Sequence, residues 1–589
     1  MKHNSHVKPE ERSNSYRWRF RQVDPALAES LVAEQGLPPA VSRILAGRPK
    51  LLATPCIEGI LYPRLRDLHD PLGLQDIEKA AWRIRQAIRK GEGILIFGDY
   101  DADGTTATAI LLRTLRLLEA KIEYHIPHRL KDGYGLNTST IRKFADEGGK
   151  LLITVDTGIG AVDEVKFANE RRLAVIITDH HQPPSILPDA LAIVNPNRRD
   201  CSYPNKCLSG VGVAFKVAHA LLKVCNVPAP KAKEFLKSLL DLVAIGTVAD
   251  VVPLIGENRI LVSHGLAQLA QTDSVGLKAL QQAAQISGDR ISAHDVGYRI
   301  APRLNAAGRV DNANVCVELF LTTEETEAKR LAEKLERCNS QRKTLEQQIL
   351  QQSLRQLELE KVGDQTYAIV VDGPDWHLGV LGIVASKLVE QWHRPAIVIS
   401  KKGDMARGSA RSIEDFNIFY ALQGCEEHLC EYGGHPHAAG LELSPDNIPR
   451  FKEAFHAIAE EQLAERELVP TLTIDTEVAP SDITDELMAY LQRLEPFGPE
   501  NPRPVLLLRN MRLQGNPIIR GDSHLAFHLT SNGHRFEAIA FQQSYRYQEL
   551  VAKGREGIDV AFTPTLNTFR GETRIQLEVR DIHFPGEDV

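Results

Sequence analysis

The chain has 589 residues, 43% hydrophobic and 25% charged, with a formal net charge of −7. That length suits roughly three to five domains of about 100–200 residues, each able to bury a core, and the composition excludes a disordered or fibrous protein. The acidic balance excludes nucleic-acid binding by bulk charge, so any such binding needs local positive surface, and no run of 18 apolar residues offers a membrane span.

The first twenty residues, MKHNSHVKPEERSNSYRWRF, hold more Lys and Arg than Glu and no apolar stretch, so they read as a solvated basic terminus without a signal peptide. Residues 1–90 read as a helical N-terminal cap, punctuated by LPPA and ATPC. From 91 to 320, GILIFG leads into TTATAILLRTLRLLEA, KLLITV into VDEVKFANERR, and LAVIIT into a Pro-rich loop. Apolar, β-branched runs alternating with helices of period 3.6 predict an α/β, doubly wound parallel sheet. Residues 321–361 contain no Gly or Pro, with Leu331, Leu335, Cys338, Leu345 and Ile349 on one stripe. They predict a long connector helix, rather than a coiled-coil partner, because a new α/β pattern follows directly. That pattern, TYAIVVDG, GVLGIVASKLVEQW and PAIVIS, predicts a smaller α/β domain over 362–465. From TLTIDTEV onward the period turns to two, and 466–589 reads as a small OB-like β-barrel.

None of the eight cysteines forms C-x-x-C, which fits reduced thiols in a cytoplasmic protein. Cys425, His428 and Cys430 could make half a zinc site, but no second half follows at finger spacing.

The chemistry concentrates where strands end. Asp99, Asp101 and Asp103 follow GILIFG, Asp156 follows LLITV, and Asp179, His180 and His181 follow LAVIIT; Asp250 stands alone in the apolar stretch AIGTVADVVPL. In an open parallel sheet, ligands gather at the carboxyl ends of strands, so these groups should share one rim. Three alternatives share the spelling D-x-D-x-D-G. A calcium loop fails because its twelfth position is Ile110, and a haloacid-dehalogenase phosphatase fails because GDY separates strand from motif. A carboxylate cluster with one imidazole remains. Crowded carboxylates repel unless cations sit between them, and oxygen-rich ligation favours two Mn²⁺ or Mg²⁺ ions over structural zinc.

At this point the residues resemble a known family. GDYDADG, VDTG, TDHH and GTVADVVPL look like the four motifs of the DHH phosphoesterase superfamily. SGVGVAFKV, APRLNAAGR, GVLGIVASKL, GSARS, GGHPHAAG and LEPFGPENPRP continue the match to its RecJ-like single-stranded-DNA exonucleases, in order, from about residue 90 to 505. VDTG carries Thr157 where the family pattern has Asn, a change that should spare Asp156.

The resemblance implies a 5′→3′ exonuclease that releases 5′-mononucleotides from single-stranded DNA in repair and recombination. It implies Asp101, Asp103, Asp156, His180 and Asp250 as main metal ligands, Asp99 as a further one, and His181 as a phosphate contact. Arg303 and Arg309, supported by Asn305, would clamp phosphate. Ser409 and Arg411 in GSARS, and Gly434, His435 and His437 in GGHPHAAG, would bind substrate from a lobe of the DHHA1 kind. The barrel would hold the strand, with Phe497, Phe527 and Phe541 available either for stacking or for its core. A single-stranded-DNA-binding protein and a DNA helicase are the implied partners of a monomer. Two other readings stay open: a DHH phosphodiesterase of short oligonucleotides or cyclic dinucleotides, and a non-catalytic strand-binding scaffold.

Overall fold

The structure, a computed structural model, describes residues 16–584 and 586, apart from 54, 55, 130, 134, 361, 364, 365, 522 and 570. The basic terminus expected over 1–20 therefore lies largely outside the described residues. Two compact units emerge: 65–468, and the N-terminal segment up to 64 together with 469–589.

In the first unit, β1 (Ile94–Phe97), β2 (Ile122–His125), β3 (Leu151–Val155), β4 (Ala174–Thr178) and β5 (Ala192–Val194) form a parallel sheet ordered β2-β1-β3-β4-β5. Because alternate residues of a strand face opposite ways, both faces are apolar. Ile94, Ile96, Ile153 and Ile176 join one core with helices α1 (Ala102–Leu117), α2 (Gly210–Val224) and α3 (Leu240–Ala249). Leu95, Phe97, Leu152 and Val175 join another under Ile141, Phe144 and Val165. The chain leaves β1 in both directions across the sheet, so β1 and β3 flank the topological switch point, where doubly wound sheets bind ligands.

Helix α4 (Ala301–Val310) follows, then α5 (Glu325–Leu359), 35 residues long. Leu331 and Leu335 of α5 belong to the core of the first sheet, whereas Ile349 and Leu357 pack with Trp376, Val380 and Val384 of the next lobe. The stripe read from the sequence thus serves two cores in succession. That lobe carries β6 (Ile369–Pro374), α6 (Leu381–Trp392), β7 (Ala396–Lys402), β8 (Met405–Arg411), β9 (Glu431–His435) and β10 (Ala438–Leu443), with sheet order β9-β10-β8-β7-β6. Only the β6–β7 pair is parallel, and β9 is an edge.

The second unit is a closed barrel. Strands Leu506–Arg520, His524–Ser531, His534–Ala540, Glu572–His583 and Ile558–Phe569 pair in that order, and the last returns to the first. Phe527 is buried in it, while Phe541 stays 49% exposed beside His524.

The expected N-terminal cap divides between the units. Strand Arg17–Phe20 pairs in parallel with Thr471–Ile474, and Trp18 Nε1 donates to Asp581 Oδ2 at 2.9 Å. Buried Arg48 donates to Asn501 and Asp475. Helix Ile77–Lys90 instead lays Ile77, Ala80, Ala81 and Ile84 into the core of the first sheet. A break in packing separates the two halves, and no Pro- or Gly-rich linker marks it. All eight cysteines are free thiols, and no potential metal group among the described residues includes Cys425, His428 or Cys430.

Candidate metal centre

Each acid is placed by backbone that the sequence leaves little freedom. Asp99 sits two residues past β1, and its Oδ1 accepts from the Tyr100 amide at 2.8 Å. Asp101 caps α1, accepting from Gly104 N at 2.9 Å. Asp103, in the first turn of α1, accepts from Gly210 N at 2.7 Å and Val211 N at 2.8 Å, so the N-terminus of α2 is aimed at a carboxylate. The approach is close: a Cβ on Gly210 would lie 2.3 Å from Asp156 Oδ1. Asp156 itself, directly after β3, has φ +60°, a conformation that costs a non-glycine residue of order 1–3 kcal/mol and persists where its surroundings impose it. Its amide donates to Thr178 O at 2.9 Å. Asp250 ends α3.

These elements bring the ligand atoms together. His180 Nε2 lies 3.2 Å from Asp156 Oδ1, 3.5 Å from Asp250 Oδ2 and 4.0 Å from Asp103 Oδ2. Asp103, His180 and Asp250 form one group of potential ligands, Asp99, Asp101 and Asp156 a second, and Asp156, His180 and His181 a third, each within 4.8 Å. His180 Nε2, Asp156 Oδ1 and Asp250 Oδ2 are buried without hydrogen-bond partners. A buried polar atom left unpaired costs about 1–3 kcal/mol, and three converging ones mark a place for a cation. Five carboxylates with one imidazole suit Mn²⁺ or Mg²⁺.

The electrostatics agree. Burial, reinforced by neighbouring carboxylates, holds Asp99 and Asp156 well above the usual carboxylate range and pushes Asp103 to about 7 and Asp250 to about 9. Burial lowers His180 to about 4, so its imidazole is neutral and offers a lone pair. A divalent cation held between these groups would reverse the carboxylate shifts.

Asp179 does different work. Its Oδ1 accepts from the amides of His180 (2.7 Å) and His181 (3.1 Å) and pairs with His181 Nδ1 at 2.7 Å, while Oδ2 accepts from Ile159 N at 2.9 Å. Burial presses the Asp179 carboxyl upward, yet these bonds, led by His181, hold it below its ordinary value. Burial likewise opposes charge on His181, but Asp179 raises it to about 9. The two histidines therefore diverge: a neutral ligand and a cation. Asn197 Nδ2 holds His180 O at 2.6 Å and Asn195 Nδ2 holds His181 O at 2.9 Å. Reading the sequence missed these roles; the Asn-Pro-Asn that follows β5 was their only trace.

A cleft of about 700 Å³ opens over the acids, bounded across from them by Gly433, Gly434 and His435 of β9. Arg129, Arg309, Arg411 and His181 line it. Burial, then the neighbouring Arg129, Arg411 and Arg342, lowers Arg309 to about 10, still a cation at neutral pH. Its Nη1 donates to Gly379 O at 3.1 Å. Arg411 Nη1 lies 3.3 Å from Ser409 Oγ. Gly434 has φ +147°, and a Cβ there would meet Ala438 O at 2.4 Å. Asn305 lines the cleft, but its Oδ1 accepts from Ala102 N at 2.8 Å, so it positions the acidic loop.

The expectation of a phosphate clamp at Arg303 is corrected. Its Nε donates to Glu336 at 2.6 Å, and its Nη atoms donate to Arg299 O and Ala283 O. Residues two apart on a helix face different ways, whereas Asn305 and Arg309, four apart, share a face. Exposed His437 is likewise absent from the cleft lining; its carbonyl accepts from Ser412 N.

Residues 93–247 match the DHH family, N-terminal domain; 364–461 match the DHHA1 domain; and 474–581 match the RecJ OB domain. The chain is 38% identical over 572 residues to the single-stranded-DNA-specific exonuclease RecJ of Bacillus subtilis, covering 97% of this chain and 71% of the relative. It is 35% identical over 584 residues to that of Escherichia coli, covering 96% and 98%. Among solved structures, RecJ in complex with Mn²⁺ from Thermus thermophilus aligns with TM-score 0.82 and 31% identity, over 97% of this chain and 80% of that one. The same protein in complex with Mg²⁺ aligns with TM-score 0.76 and 30% identity, over 97% and 79%.

Proposed function

The chain belongs to the RecJ family of single-stranded-DNA-specific exonucleases, and from that premise we infer a metal-dependent hydrolase that shortens single-stranded DNA from its 5′ end to 5′-mononucleotides. The observation that carries this reading is that the buried, unpartnered His180 Nε2 lies 3.2 Å from Asp156 Oδ1 and 3.5 Å from Asp250 Oδ2, both also buried and unpartnered, beside the cleft.

Asp103, His180 and Asp250 would hold one divalent cation, and Asp99, Asp101 and Asp156 a second. When bound, such ions lower the pKa of an attacking water and stabilise the departing oxygen. The protein's own groups do the rest. Asp179 keeps His181 protonated, so a cation faces the scissile phosphate. Arg309 and Arg411, with Ser409, supply a second positive centre for the terminal phosphate, and the backbone of Gly433 and Gly434 comes close to it without side chains in the way. Arg129, within cation–π reach of Tyr100, adds positive charge at the mouth. Local basic groups of this kind replace the bulk charge that an acidic chain lacks.

The barrel would hold the strand as it feeds in, with exposed Phe541 its best-placed ring for stacking. The enzyme would act as a cytoplasmic monomer in repair and recombination, beside a DNA helicase that frees strands and a single-stranded-DNA-binding protein that coats them. Free thiols throughout suit a reducing compartment, and no helix among the described residues is long and apolar enough to cross a membrane.

The test is digestion of 5′- and 3′-labelled single strands with Mn²⁺, Mg²⁺ or chelator. A 5′ label should appear at once as mononucleotide, only with metal. Label released first from the 3′ end, or preference for a dinucleotide over a long strand, would overturn the reading.

A further inference from the structure

Beside the acidic cleft lies a smaller pouch of about 230 Å³ that shares Ala249, Asn305 and Arg309 with it. Its apolar walls are Val248 and Val251 around the end of α3, Ala301 and Pro302 of α4, and Ile383 of α6 from the other lobe, and Asn305, Arg309 and Arg342 supply a polar rim. It is smaller than the roughly 300–1,000 Å³ of sites for drug-sized ligands, and so suits one flat ring system.

Three features mark it as built for a ligand. Val251 directly follows the ligand Asp250, has φ +60° and is 66% exposed. A β-branched residue in the left-handed region is an outlier, and here the strained backbone displays an isopropyl group to solvent. Gly297, in the π-helical turn Val296–Ile300, forms part of the wall; such turns recur at functional sites. A Cβ on Gly297 would meet only Val248 Cγ1, at 3.9 Å, so packing does not demand glycine there and the missing side chain leaves the pouch open.

The polar groups at the rim are largely engaged within the protein. Arg342 donates to Glu346 Oε2 at 2.5 Å and Asn339 Oδ1 at 2.6 Å. The Asn305 oxygen is taken by Ala102 N, and Arg309 Nη1 by Gly379 O. On its other side, a Cβ on Gly382, next to Ile383, would lie 2.7 Å from Arg411 Nη2 and 3.0 Å from Ser409 Oγ. The pouch therefore borders both the acids and the Arg411–Ser409 pair.

We propose that this pouch takes the nucleobase of the terminal nucleotide, the one about to be released, chiefly by contact with its apolar walls. The proposal rests on the exonuclease reading and extends it. With the scissile phosphate at the acids and the terminal phosphate at Arg411 and Ser409, the base of the nucleotide between them falls into the pouch. Valine, proline and isoleucine walls have no pattern of donors and acceptors to match, so they accept all four bases, as an enzyme that degrades any sequence requires.

The experiment uses the full chain with Mn²⁺ and 5′-phosphorylated strands that differ only in the terminal residue: A, C, G, T or an abasic tetrahydrofuran. Wild type should treat the four bases within about twofold and lose about tenfold in kcat/KM on the abasic end, at the low side of the 1–3 kcal/mol given by base contacts. Val251→Asn relieves the left-handed strain and removes the apolar wall. It should lower kcat/KM on natural ends by about tenfold, leave the abasic end unchanged, and leave Mn²⁺ affinity by calorimetry unchanged. Gly297→Ala, which the fold has room for, should act in the same direction. Wild type indifferent to the missing base, or a Val251→Asn loss equal on natural and abasic ends, would overturn the pouch while the nuclease stands. No Mn²⁺-dependent release from a natural 5′ end would overturn the exonuclease reading itself.

Discussion

His181 Nδ1 and Asp179 Oδ1 lie 2.7 Å apart, and the same oxygen accepts from both histidine amides. One buried carboxylate thus sets the charge of one histidine and the backbone of both.

Asp179→Asn should therefore separate charge from metal. His181 has its pKa near 9, so its cationic contribution is lost as pH rises through about 9. In the variant that loss should move down toward the ordinary histidine value of about 6.5. The expected fall in kcat near pH 8 is about 10–100-fold, the usual size for a support beside a metal site. A pH–rate profile of wild type and variant checks it; an unshifted alkaline limb would refute the role.

Removing metal should steepen the loss of stability with rising pH. An aspartate whose folded pKa is raised favours folding below its unfolded value of about 3.9 and loses that contribution as pH rises through the folded value. Asp250, at about 9, and His181, at about 9, both work in this sense between pH 7 and 9. In chelator, Tm should fall across that range. With saturating Mn²⁺ the fall should be smaller, since the ion takes the place of the protons. Calorimetry at pH 7 in buffers of different ionisation enthalpy should show protons released on Mn²⁺ binding; release of none would contradict the raised carboxylates.

Arg309 and Arg303 should behave oppositely despite sharing a helix. Arg309→Ala should raise KM for 5′-phosphorylated strands by about 10–100-fold, the range of a charge-assisted bond of roughly 1.5–3 kcal/mol, with a smaller effect on 5′-hydroxyl strands. Arg303→Ala removes a bond to Glu336 and two to backbone carbonyls, so it should lower Tm and leave KM alone. Steady-state kinetics on both strand types decides between them.

Arg48 anchors the N-terminal segment to the barrel unit through Asp475, with both side chains 1% exposed. Arg48→Ala removes the bonds to Asp475 and Asn501 and leaves Asp475 with Arg21, at 2.8 Å, and the Val505 amide, so it should cost about 1–3 kcal/mol in that unit. Its melting, followed by limited proteolysis or calorimetry, should drop while Mn²⁺ binding by the 65–468 unit persists.

What could be read from the chain was whatever repeats locally. Apolar runs at 94–97, 151–155 and 174–178, each ending in acid or histidine, give both the parallel sheet and its rim of ligands. The charge on His181 could not be read that way, because it depends on which oxygen its ring meets. Arg303 and Arg309 look alike in APRLNAAGR; helix phase sends one into Glu336 and the other into the cleft. The pouch was equally hidden, since it needs Val251 and Ile383 from separate lobes. The joining of the N-terminal segment to the barrel leaves no local mark, because Arg17 faces Thr471 across the whole intervening unit.

That last pairing bears on biosynthesis. A ribosome exposes the Arg17–Phe20 edge long before Thr471–Ile474 exists, so the segment must wait, unmatched, while residues 65–468 emerge and fold. The bulk of the nascent chain thus completes first, and the leading end is the last piece to find its place, at the entropic cost of closing a very long loop.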